Sequence, residues 1–223
     1  MYGHDVVRDR RSKVVDDSIV GRLRKDILEG VFSPGERLIE VDLAERYGCG
    51  RAAIRAALVQ LDSEVLVDRK ANKGAVLHRI SVQEAIEITE ARAVLEGLIA
   101  RRAAEKATAK DAERLNMIVS EMKRAVTEDD PPTYARLNHE LHAALMVIGD
   151  HAVAAGLVRN LRNRGVQNQY RLAMMPGRQA QSLEQHAAIV DAVVCGDPEQ
   201  AAAAMGRHLD SVIAVLNRWG DAG

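Results

Sequence analysis

Four side chains in the second half of the chain pair metal-ligand chemistry with core-like surroundings. Asn138 and His142 stand four residues apart, about one helical turn, in a segment whose apolar positions are Leu137, Leu141 and Leu145. His186 lies beside Ile189 and Val190, and His208 beside Met205, Leu209 and Val212. Imidazoles pointing inward from three helices, joined by an amide carbonyl, have the donor set for a divalent metal in a bundle core. Taken singly, each His reads more readily as a hydrogen-bonded core or surface residue than as a ligand. His139 sits off the face of Asn138 and competes with His142 for the ligand role. His4, His78 and His151 have no ligand-like context.

A second constellation is cationic. Arg51 and Arg55 share one helical face, opposite Ile54, Leu58 and Leu61. Arg69, Lys70, Lys73 and Arg79 follow, with only Asp62, Glu64 and Asp68 against all six cations between residues 51 and 79. The whole chain has a net charge of −1, which argues against a protein coated in nucleic acid. Residues 1–79 carry 15 Lys+Arg against 13 Asp+Glu, and the remainder 16 against 19. A basic patch inside a neutral protein suits a small DNA-reading module, whose arginines pair with guanine edges or clamp phosphates.

These residues need elements to hold them. Residues 1–15 are charged, aperiodic and read as a mobile arm. Asp16 or Asp17 caps a helix with Ile19, Leu23 and Ile27 as its stripe, widened by Val20 and Leu28. Gly30 ends it before the turn Ser33-Pro34-Gly35. A short helix turns Val41, Leu43 and Ala44 inward and stops at Gly48; a third starts near Gly50. The run VLVDRKANKGAVLH then reads as a hairpin. Helix, helix, turn, helix and basic hairpin make a winged helix-turn-helix, whose recognition helix enters the major groove. The rival reading is a basic face on helices that merely pack. From Ser81 onward, amphipathic stretches predict helices at about 82–107, 110–128, 131–148, 150–173, 180–195 and 198–218, broken at residues rich in Pro, Gly and Asp. The expected fold is therefore mainly α: a winged helix-turn-helix of three helices and a hairpin over 16–79, then an all-α antiparallel bundle over 80–223.

Composition agrees with helices. Apolar residues make up 47% and aromatic ones 3%, a core of Ala, Leu, Val and Ile suited to helix-on-helix packing. No apolar run approaches the roughly 20 residues of a membrane span, and the first 18 residues have no signal-peptide core. The expectation is a cytoplasmic protein with no membrane partner. Cys49 and Cys195 form no CxxC pair and are expected as two buried, reduced thiols.

The segment GERLIEVDLAERYGCGRAAIRAALVQLDSEVLVDRKANKGAVL resembles the DNA-binding domain of GntR-family regulators. The shared frame is Gly35-Glu36-x-Leu38, Leu43-Ala44-Glu45, Gly48, Arg51, Ile54-Arg55, Ala57-Leu58, Leu61 and Asn72-x-Gly74, within a resemblance covering 16–79. It implies operator DNA as partner. The contacts would come from Arg51, Arg55 and the wing around Lys73 and Gly74, with Gly50 and Ala52 at the same DNA-facing helix start. Where the family usually has Ser or Thr at 50, Thr at 52, Pro or Thr at 53 and Glu at 56, this chain has Gly50, Ala52, Ala53 and Ala56. Glycine at 50 weakens the cap at modest cost, whereas Ala52 gives up a phosphate contact.

Residues 81–218 resemble the effector domain of the FadR-like subgroup. The carrying segments are Glu90-Ala91-Arg92-Ala93-Val94-Leu95-Glu96, Asn138-x-x-x-His142, His186-x-x-Ile189 leading to Gly196-Asp197, and Met205-x-x-His208. The resemblance implies a divalent metal ion, zinc or nickel, held by Asn138, His142, His186 and His208. It also implies a small organic-acid effector whose carboxylate meets Arg92. Relatives of the acyl-CoA-binding type lack these ligands, which argues against fatty acyl-CoA. Many relatives have Asp at position 138; an amide leaves the metal's charge uncompensated and favours an anionic ligand. A recognition helix reads only a few base pairs, so a homodimer is expected.

Two other functions fit some of these residues. A helical-bundle metalloenzyme would use Glu140 or Glu184 as base, but neither has the HExxH spacing. A regulator with a purely structural metal would sense nothing.

Overall fold

The computed structural model describes residues 18–28, 30–33, 35–69, 74–164, 175 and 177–220. The chain divides into two compact units, one ending at His78 and the other starting at Arg79.

In the first unit, α1 (Ile19–Leu28) buries Leu23 and Ile27 completely. Ser18 Oγ accepts a hydrogen bond from the Gly21 amide, so the cap of α1 falls on Ser18; Asp16 and Asp17 lie outside the described residues. α2 (Glu40–Tyr47) stops at Gly48, whose left-handed φ of 63° is the usual end of a helix at glycine. Leu43 of this helix is buried, but Val41, expected inward, is 51% exposed. It sits two positions from Leu43, on the other side of the helix. α3 (Arg51–Ser63) buries Ile54, Ala57, Leu58 and Leu61.

The expected hairpin forms from β2 (Val67–Arg69) and β3 (Ala75–Leu77), with Lys70, Asn72 and Lys73 outside the described residues. A third strand that the sequence did not announce, β1 (Arg37–Leu38), pairs antiparallel with β3 and gives the order β1-β3-β2. Two residues are too short for a visible alternation. The sheet places Leu38, Val67, Ala75 and Leu77 in the core. Gly74 explains the close approach: its φ is +78°, and a Cβ there would lie 2.6 Å from the Leu38 carbonyl oxygen.

The second unit is a helical bundle. Its helices are α4 (Val82–Lys106), α5 (Ala109–Thr127), α6 (Pro131–Gly149), α7 (Ala152–Arg164), α8 (Arg178–Val194) and α9 (Pro198–Gly220). Residues 165–173, expected to continue α7, lie outside the described residues. The starts have local causes. Ser81 Oγ accepts from the Glu84 amide, Thr108 and Asp111 make a reciprocal capping box, and Asp130 Oδ1 accepts from the Thr133 amide ahead of two prolines. α4 and α9 form the most extensive helix pair among the described residues, and their backbones come close at Gly97, where a Cβ would lie 3.7 Å from the Ala202 carbonyl oxygen. α6 also crosses α4 tightly: a Cβ on Gly149 would meet the Ile99 carbonyl oxygen at 2.7 Å. Leu115, Met122, Leu141, Leu145, Ile189 and Leu209 fill the centre. Cys195 is exposed and Cys49 partly so, against the expectation that both are buried; both are free thiols. No helix among the described residues is long and apolar enough to cross a membrane.

Candidate metal centre and DNA-facing helix

α6, α8 and α9 each contribute one buried imidazole to a common cavity. His142, His186 and His208 are at most 5% exposed, and one ring nitrogen from each lies within 4.8 Å of the other two. The ring centroids are 5.5 Å (142 to 186), 5.6 Å (142 to 208) and 4.4 Å (186 to 208) apart. Asn138, one turn before His142, lines the same cavity, and its Oδ1 is buried with no hydrogen-bond partner. His139 is exposed. The cavity is about 60 Å³ in volume, room for several waters or for an ion with a small ligand.

Each imidazole is held by its Nδ1. That of His208 lies 3.0 Å from Gln185 Oε1 and that of His186 3.3 Å from the Tyr134 hydroxyl. That of His142 lies 2.6 Å from Glu96 Oε2, a short contact out of line for a straight hydrogen bond. Outer partners on Nδ1 fix ring orientation and leave Nε2 for a ligand role, the usual build of a histidine metal site. His186 Nε2 is buried with no partner, an orphan that an ion would satisfy. Burial, reinforced by the charge of Arg162 and opposed by Glu96, pulls the His142 imidazole down to about 4. Burial and the neighbouring imidazoles hold His186 and His208 well below the ordinary histidine range. All three are thus neutral, the form that binds metal.

Behind the triad sits a carboxylate to which the sequence analysis gave no role. Glu96 is 3% exposed, accepts a 2.7 Å bond from Arg92 Nε and lies 3.4 Å from Arg162 Nη1. Burial would raise its pKa, but Arg92, then His142 and Arg162, overcome this and hold it well below the carboxylate range. Arg92, the expected effector anchor, lines the cavity and is tied to Glu96. Arg162, Arg178, Tyr134 and Ser182 also line it and were not anticipated. The i, i+4 pair Arg92–Glu96 was the visible signal, because two ionisable residues fall on a helix face that otherwise buries Ile88, Ile99 and Ala103. No comparable signal marks Arg162 or Arg178. The two carboxylates considered as bases lie elsewhere: Glu140 pairs with Arg114 and Arg136, and Glu184 is exposed.

In the first unit, Gly50 caps α3 with extended backbone and no side-chain bond. Arg51, Ala52 and Arg55 are exposed on the first turns of α3. Arg55 donates from Nε and Nη2 to the two carboxylate oxygens of Glu40, at 3.2 and 2.8 Å, and Arg51 Nη2 lies 4.0 Å from the same group. Gly74 closes the sheet against Leu38, and Lys73 lies outside the described residues.

Two family models match the chain: "Bacterial regulatory proteins, gntR family" over residues 16–77 and "FCD domain" over residues 87–211. The chain is 30% identical to the Uxu operon regulator of Haemophilus influenzae, over 89% of this chain and 80% of that protein. It is 24% identical to the HTH-type transcriptional repressor RspR of Escherichia coli, over 89% and 87%. Among solved structures, E. coli McbR/YncC superposes with a TM-score of 0.78 at 21% identity, covering 90% of this chain and 96% of that one.

Proposed function

The chain belongs to the GntR family of bacterial transcriptional regulators, in its FadR-like branch with an FCD domain, and on that premise we propose that a small carboxylate bound beside a metal ion controls its hold on DNA. The protein is a DNA-binding regulator and not an enzyme. The observation that carries the effector reading is the convergence of three neutral imidazoles, each restrained at Nδ1, on a cavity that also contains the orphaned Oδ1 of Asn138. Asn138, His142, His186 and His208 would hold the ion, zinc or nickel by donor type. When bound, the ion supplies a positive centre that attracts a carboxylate. The protein's own residues do the rest. Glu96 balances part of the charge of Arg92 and Arg162, Tyr134 and Gln185 orient the rings of His186 and His208, and Arg92 directs the incoming acid. No protein carboxylate among the described residues reaches the cluster except Glu96, so the charge of an ion there falls to the effector to neutralise.

On the DNA side, the reading assigns base or phosphate contacts to Arg51 and Arg55, with Gly50 and Ala52 at the close-approach end of α3 and Lys73 and Gly74 in the wing. Glu40 pre-positions Arg55. A homodimer formed through residues 80–223 would supply two such helices. Val94, Leu98, Val153 and Leu157, exposed on the mutually packed α4 and α7, offer apolar area for it.

Elemental analysis of the purified protein after supplementation with zinc or nickel, followed by carboxylate titration with and without chelator, tests the reading. Metal near one equivalent and carboxylate binding lost on chelation are expected. A protein that takes up no metal would remove the site, carboxylate binding indifferent to chelator would leave the arginines as sole anchors, and unfolding on chelation would make the metal structural.

A further inference from the structure

The buried charges around the cavity do not balance. Arg92, Arg162 and Arg178 all line it and are each at most 7% exposed. Glu96 is the one acidic residue buried with them among the described residues. Both of its oxygens are engaged, one by Arg92 and the other by His142 and Arg162. One carboxylate thus faces two of the three guanidinium groups.

Arg178 opens α8, and its partners are neutral. Its Nη1 donates to Gln181 Oε1 at 2.9 Å and its Nη2 to Ser211 Oγ at 3.0 Å. Tyr134 supplies no charge, because burial drives its phenol far above neutrality and keeps it protonated. The stretch 165–177 that leads into α8 contains no Asp or Glu to bring to Arg178. Arg218 nearby only adds positive charge. A buried guanidinium without an anion is costly unless a ligand supplies one. The position is also connected to the metal centre: Ser211 Oγ lies 2.9 Å from Gln185 Oε1, the atom that meets His208 Nδ1.

We propose that the effector is a short dicarboxylate, one carboxylate lying at the histidine cluster and the second on Arg178. The inference rests on the reading that the cavity takes a carboxylate, and it adds the second acid group. A planar carboxylate matches a guanidinium fork, and pairing it there would supply the missing charge. Occupying Arg178 would also draw on its bond to Ser211 and, through Gln185, on the support of His208.

The test uses the full chain equilibrated with zinc and titrated calorimetrically with succinate, its near-isosteric monoamide succinamate, and inorganic phosphate. Succinate should bind roughly ten- to a hundredfold tighter than succinamate, the worth of one charge-assisted pair. In Arg178→Gln this advantage should largely vanish, succinate losing much more affinity than succinamate, and Arg178→Lys should keep part of it. Unchanged zinc stoichiometry and helical circular dichroism identify an intact variant; should Arg178→Gln misfold, the parent comparison and the Lys variant decide. Equal affinity for succinate and succinamate overturns the dicarboxylate while leaving the carboxylate reading standing. So does a Gln variant that loses both acids alike, or phosphate that binds as tightly as succinate. Failure of both acids to bind removes the carboxylate reading, and this inference with it.

Discussion

At the scale of single residues, the proposed metal centre would depend on how few anionic groups the protein places at it. His186→Ala deletes the imidazole whose Nε2 has no protein partner, so the variant should lose metal and effector response together. Leu141, Ile189 and Leu209 remain in place to keep the bundle folded. Metal analysis beside circular dichroism checks both, and full metal occupancy in the variant would exclude His186 as a ligand. Asn138→Asp moves a negative charge onto the cluster, and should tighten metal while weakening the carboxylate, readable as opposite shifts in two titrations. In α3, Arg51→Ala and Arg55→Ala should each weaken operator binding by about 1–3 kcal/mol with helical content unchanged. Fluorescence anisotropy on the native operator measures this; parental affinity in both variants would mean that another surface reads the DNA.

At the scale of elements, one helix end has the wrong residue for its geometry. α3 closes with the Leu66 amide bonded to the Leu61 carbonyl and the Val65 amide to the Asp62 carbonyl, the paired pattern of a helix ended by a left-handed residue. Glycine is the usual occupant, yet here Val65 holds a φ of 56°. A β-branched side chain there costs about 1–2 kcal/mol, so Val65→Gly should raise stability by about 1 kcal/mol in spite of the greater freedom of glycine when unfolded. A denaturation midpoint unchanged or lowered in Val65→Gly would contradict this. Gly74 is the converse case, where the sheet accepts only glycine because the Leu38 carbonyl occupies the space of a Cβ. Its place in the wing therefore has a packing reason independent of any contact with DNA.

At the scale of the whole molecule, the expected assembly is a dimer. Sedimentation equilibrium at micromolar concentration should return twice the 24.4 kDa of one chain; a single-chain mass would leave one recognition helix per particle and contradict the paired half-sites. The sequence by itself determined the order of elements, because helical spacing, glycine stops and capping residues are local signals. Ile54, Leu58 and Leu61 mark the buried face of α3 in a periodicity that any reader of the chain can count. Periodicity likewise put Asn138, His142, His186 and His208 on inward faces, and a family resemblance grouped them. What periodicity does not encode is which inward faces meet. Glu96, Arg162 and Arg178 come from three helices, and their charges acquire meaning only when packing brings the two arginines to one cavity, sets Glu96 against Arg162 and removes the water that would screen them. The two-residue strand β1 was decided in the same way, by a pairing partner remote in the chain. Local chemistry names the faces of each element, and tertiary contact decides what each face meets.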